Sequence, residues 1–171
     1  MHSIAPEVVS IADACLGGLH DRSALLIGPE KQRQPYALLL QQAGMKCVYQ
    51  ESTPLHVSHI LPHIQLLMSL PTPSQTVPLL TAATVASGCA GRRTPLLILD
   101  LAETTSVEEL AGLLPAVCLY TPSDLQRILS AARATGPDEN RVRHYTIPPA
   151  IAHSEPGLSN SGDFAPRPRK M

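Results

Sequence analysis

The chain has 171 residues, 44% of them hydrophobic, which suits one domain with a real core and excludes a large multi-domain enzyme. Thirteen basic against fourteen acidic residues leave a net charge of −1, so the composition carries no electrostatic footprint for nucleic acid or an anionic membrane. Aromatics are only 3%, which requires an aliphatic core, and the 17 prolines are about twice the average usage. The opening MHSIAPEVVSIADA has no basic region followed by an apolar block, and no stretch approaches the ~20 apolar residues of a membrane-crossing helix. The four cysteines (Cys15, Cys47, Cys89, Cys118) form no CxxC pair. A cytoplasmic protein with reduced thiols and no signal peptide is expected.

In chain order, Pro6–Leu16 reads as a lead-in helix and Ser23–Gly28 as a short buried strand ending in glycine. Pro35–Ala43 is expected to be helical, with Pro35 in the first turn and Gly44 at the C-cap. Lys46–Tyr49 is a second strand and Gln65–Ser69 a third, while Thr53–Ile64 between them has room for one short helix at most. Thr81–Ala90 is a helix with a Thr cap, and Pro95–Leu101 is a continuous aliphatic strand of the kind buried on both faces. Val107–Leu113 is a short helix, Val117–Tyr120 a strand, and Ser123–Arg133 a helix capped by Ser123. Cys47 and Cys118 alternate with apolar neighbours and are expected to be core thiols.

Strands alternating with helices predict a Rossmann-like doubly wound α/β fold, a mostly parallel sheet of four or five strands with helices on both faces. The shortness of Thr53–Ile64 predicts that one βα unit is missing. Residues 1–133 form this domain. Residues 134–171 hold six of the prolines and no apolar periodicity, and are expected to be a disordered tail.

The order of motifs resembles a family. Thr94–Gln126 (TPLLILDLAETTSVEELAGLLPAVCLYTPSDLQ), Val77–Arg93 (VPLLTAATVASGCAGRR) and SIAPEVVSIADACLGGLHDRSALLIG are similar to consecutive segments of the nucleotide-binding domain of glutamyl-tRNA reductase. That enzyme makes glutamate-1-semialdehyde for tetrapyrrole synthesis, and the resemblance covers residues 3–128. It implies a site for NADP(H) or NAD(H) at Gly28, Pro29, Glu30, Gln50, Glu51, Ser52 and Ser69, most of them altered from the family pattern.

The family's Gly-x-Gly-x-x-Gly turn reads Gly28-Pro29-Glu30-Lys31-Gln32-Arg33, so only the first glycine is kept. Pro29 lacks an N–H, Glu30 brings a negative charge to the phosphate position, and Pro35 is expected to start the helix about a turn late. Lys31 and Arg33 retain an attraction for phosphate. Where the family has Asn-Arg-Thr after the second strand, this chain has Gln50-Glu51-Ser52; Glu51 would suit ribose hydroxyls and an unphosphorylated cofactor. Met68-Ser69-Leu70 stands for a Ser-Ser-Thr-like strand end, and Thr104-Thr105-Ser106 for Pro-Arg-Asp. The family's nucleophilic cysteine lies in a separate domain, and none of the four cysteines here has its neighbours.

His56, His59 and His63 fall at i, i+3 and i+7, which makes His56 and His59 weak candidates for metal or haem, although Pro62 interrupts that face. Basic clusters at Arg141–His144 and Arg167–Lys170 are offset by Asp138, Glu139, Glu155 and Asp163. The expected function is an accessory or partner-binding protein of tetrapyrrole synthesis, non-catalytic alone. The alternatives are an NAD(P)(H)-binding subunit of an active oxidoreductase and a haem- or metal-binding regulator.

Overall fold

A computed structural model of the chain describes residues 3–72 and 77–134. The expected tail, 134–171, lies outside them except for Ala134, which ends the last helix. Five parallel strands, β1 (Ser23–Ile27), β2 (Cys47–Glu51), β3 (Leu66–Ser69), β4 (Leu96–Asp100) and β5 (Val117–Tyr120), form one sheet in the order β2-β1-β3-β4-β5. This is the six-strand dinucleotide-fold order 3-2-1-4-5-6 without its edge strand 3. The three inner strands carry the aliphatic runs SALLI, LLMS and LLILD and are buried at every position. The two edge strands are only partly covered.

Alternate residues of each strand feed two cores. On one face Ala24, Leu26, Leu66, Met68, Leu97 and Leu99 pack against α1 (Ala5–Leu16), α2 (Glu30–Gln42) and α5 (Pro122–Ala134). On the other, Leu25, Ile27, Leu67, Leu96 and Ile98 meet α3 (Val57–Ile60), α4 (Ala82–Gly88) and the 3-10 turns around them. Gly88 permits the closest approach here, since a Cβ at that position would lie 2.5 Å from Leu61 Cδ1. Two arginines pin the amino-terminal end of the sheet. Arg22 donates to the carbonyls of Leu16 and Gly18 at the end of α1, at 2.6 and 2.7 Å. Arg92 donates to those of Leu61 (2.6 Å), Thr94 (2.6 Å), Pro95 (3.4 Å) and Ile64.

Several expectations change. The helix after β1 starts at Glu30, not Pro35, so Pro35 lies inside it. Its inward stripe, Arg33, Tyr36, Ala37 and Leu40, is buried and helical in spacing, while Pro35 is exposed. Burying Tyr36 and Leu40 is worth roughly 1.5–3 kcal/mol each, against about 3 kcal/mol for an interior proline whose freed carbonyl faces water. Packing wins.

Val107–Leu113 is not an α-helix. Val107 bridges Leu80 in parallel, and only Glu109–Leu113 turns, as a 3-10 helix. The reason is Glu108, whose carboxylate accepts the Ala82 N–H of α4 at 2.7 Å and whose own N–H goes to the Leu80 carbonyl. The cap of α5 is Thr121 rather than Ser123: Thr121 Oγ1 accepts the Asp124 N–H at 3.3 Å, and Asp124 Oδ2 accepts the Thr121 N–H at 3.1 Å. Cys118 is exposed and Cys47 only half-buried, because the strand order puts β2 and β5 at the edges. All four cysteines are free.

Candidate functional site

In a sheet of this order ligands sit beyond the carboxyl ends of β1 and β3, where the winding reverses. The chain gathers Gly28, Pro29, Glu30, Glu51 and Leu70 at that edge. The Gly28 N–H donates to the Glu51 carbonyl at 3.0 Å, and the Leu70 N–H to the Ile27 carbonyl at 2.8 Å. Gly28 has φ 137°, and a Cβ there would stand 2.9 Å from Leu70 Cβ and 3.2 Å from the Leu70 carbonyl oxygen. Leu70 is fully buried. The surviving glycine therefore serves the tight turn itself, packed against Leu70.

Pro29 is the N-cap of α2 (ψ 141°) and Glu30 its first residue. The positive end of the helix is thus aimed at the loop, contrary to the late start expected from Pro35, and Glu30 occupies its first turn. Arg33, at the third glycine position, is 8% exposed and its Nε is buried with no partner. Lys31 is exposed. Gln50 and Ser52 are exposed at the end of β2; Glu51 is part-buried and lies 3.8 Å from His56 Nδ1.

Ser69 is elsewhere. It is fully buried beneath the edge, within 2.5 Å of the Ser106 hydroxyl. Ser106 Oγ donates to Asp100 Oδ1 at 2.6 Å, so its single proton is spent and Ser69 is the donor of the other bond. Asp100, also fully buried, accepts the N–H groups of Ser106 (2.6 Å), Val107 (3.0 Å) and Ala102 (3.2 Å) as well. The sequence places Asp100 at a strand end and Ser106 in the loop after it, but their juxtaposition comes from the chain folding back on the end of β4.

His56, His59 and His63 fall on three consecutive helical segments. His56 belongs to a 3-10 turn, Pro54–His56, His59 to α3, and His63 to a further 3-10 turn. Among the described residues no group of three or more His, Cys, Asp or Glu side chains is placed to hold a metal ion. No described helix is long and apolar enough to cross a membrane.

No protein-family model and no curated protein matches the chain. Solved structures do. Glutamyl-tRNA reductase from Methanopyrus kandleri is similar at 23% identity and a TM-score of 0.63, over 79% of this chain and 39% of that one. A dipicolinate synthase component from Bacillus halodurans is similar at 12% identity and a TM-score of 0.55, over 77% and 52%. The fold is thus Rossmann-like α/β, and the chain spans less than half of the reductase.

Proposed function

We propose that this chain is an accessory, partner-binding protein of glutamyl-tRNA reductase type, acting in tetrapyrrole synthesis and non-catalytic alone. The observation that carries the reading is Glu30, which begins α2 at the position of the second glycine, where the backbone would approach a pyrophosphate. A dinucleotide needs backbone N–H groups in an open turn, and here the turn has Pro29, an acidic Glu30 and a leucine packed onto its remaining glycine. NADPH and NADH at micromolar concentration should leave the melting temperature unchanged; a rise of several degrees with either would sink this reading.

A second reading, an NAD(P)(H)-binding subunit, is favoured by one feature. Arg33 presents a buried Nε without a partner in the first turns of α2, whose positive end faces the loop. Arg33 would hold a phosphate and Glu51 the ribose hydroxyls. On this reading Arg33→Ala weakens binding of both cofactors and Glu51→Ala weakens NADH more than NADPH, measured by isothermal calorimetry.

A further inference from the structure

The end of α1 and the edge strand β5 bring two of the four free cysteines to one place. Val117 and Leu119 of β5 face the α3 and α4 side of the sheet, so Cys118 and Tyr120 look to the side that carries α1 and α5. Strand pairing sets Cys118 in one row with Leu97, Leu66 and Ala24, toward the amino end of the sheet. The last turn of α1 lies at that same end, because the helix leads into β1, and Arg22 fixes the turn through the carbonyls of Leu16 and Gly18. Cys15 belongs to that turn. Its Sγ stands 3.6 Å from the Tyr120 hydroxyl, and Tyr120 is two positions from Cys118 on the same strand face. Both cysteines are exposed and free. They also feel each other, since Cys15 adds to the burial that pushes the Cys118 thiol up.

We propose that Cys15 and Cys118 form a dithiol that hydrogen peroxide oxidises to a disulfide, fastening α1 to the edge of the sheet. The Cys15 thiolate attacks one peroxide oxygen; the O–O bond breaks, and the departing hydroxide takes up a proton to leave as water. Cys15 is then a sulfenic acid. The Cys118 sulfur attacks it, the S–S bond forms, the S–O bond breaks, and the Cys118 proton leaves with the hydroxide as a second water. Two thiols are oxidised and one peroxide is reduced. Cys118 acts second because its raised thiol holds its proton longer. Gly28, Glu30 and Glu51 lie at the opposite, carboxyl end of the strands, so the dithiol stands independently of whether a nucleotide binds.

The full chain, treated with hydrogen peroxide, quenched by alkylation and mapped by mass spectrometry, tests it. The expected main product is an intramolecular Cys15–Cys118 link that dithiothreitol reverses, with Cys47 and Cys89 recovered as alkylated thiols. When the chain is unfolded in urea before oxidation, the pairing should spread over all four cysteines. Cys118→Ser should abolish the link and leave Cys15 as a sulfenic acid that dimedone captures. The linked chain should also unfold at a higher urea concentration than the reduced one, a gain absent from Cys15→Ser and Cys118→Ser. Dimedone adducts on both wild-type thiols without a link would overturn the proposal. So would a link made mainly to Cys47 or Cys89 or between molecules, the same mixture with and without urea, or a link that lowers the urea midpoint, which would mean that it forms only by distorting the fold.

Discussion

Asp100 looks from its surroundings like a catalytic acid: a carboxylate at the carboxyl end of a strand, linked through Ser106 to Ser69. Its bonds say otherwise. All its accepted hydrogen bonds come from its own loop, and none of the three side chains reaches the surface. The network folds residues 101–107 under the sheet and sets Val107 against Leu80. Asp100→Ala should therefore lower stability by about 3 kcal/mol or more in urea unfolding, since it strands several buried donors at once. Asp100→Asn, which keeps one acceptor, should cost less. If Asp100→Ala left the midpoint unmoved, the network would be incidental.

At the scale of elements, local chemistry and tertiary packing compete openly in α2 and α5. Replacing Pro35 by Ala restores the bond to the Lys31 carbonyl and removes the ring clash, worth up to about 3 kcal/mol, offset by about 0.4–1 kcal/mol of regained freedom in the unfolded chain. A net gain of about 2 kcal/mol by chemical denaturation is expected; a loss would mean that α2 does start at the proline. In α5, the Thr121 hydroxyl and N–H, with Arg127 beyond them, hold the Asp124 carboxyl below the ordinary aspartate value. A group lowered on folding stabilises above its unfolded pKa, and that stability is lost as pH falls through the folded value. The protection of amides in the first turn of α5, taken relative to the unfolded chain at the same pH, should therefore fall as pH drops below about 4, and Asp124→Asn should abolish that dependence.

At the scale of the whole molecule, strand order decides which thiols meet solvent. Cys118 is on an edge strand, its thiol pushed up by partial burial and then by Cys15, and Cys15 Sγ lies 3.6 Å from the Tyr120 hydroxyl. The Tyr120 phenol is pushed up to about 12, first by its hydrogen bond with Cys15. Thiol labelling should reach the exposed Cys15 and Cys118 before Cys89, which is half-buried and also raised by desolvation. Because a raised pKa leaves less thiolate at neutral pH, labelling at Cys118 should keep accelerating above the ordinary thiol range of about 8.5. Cys15→Ser should speed Cys118 at alkaline pH, where a thiolate at Cys15 opposes a second one; an unchanged rate there would show that the two thiols do not interact.

The sequence alone determined the layers of this protein. Short aliphatic runs flanked by Gly, Pro or Thr read as strands buried on both faces, and the short interval before Ile64 limited the sheet to four or five. It also placed Gly28, Glu30 and Glu51 at one edge, because strand ends in a parallel sheet converge. Tertiary structure decided what that edge is filled with. Leu70 against Gly28, Ser69 turned under the sheet, the early start of α2 despite Pro35, and the exposure of Cys118 all depend on which strands are neighbours. Close packing between residues tens of positions apart leaves no local pattern to read.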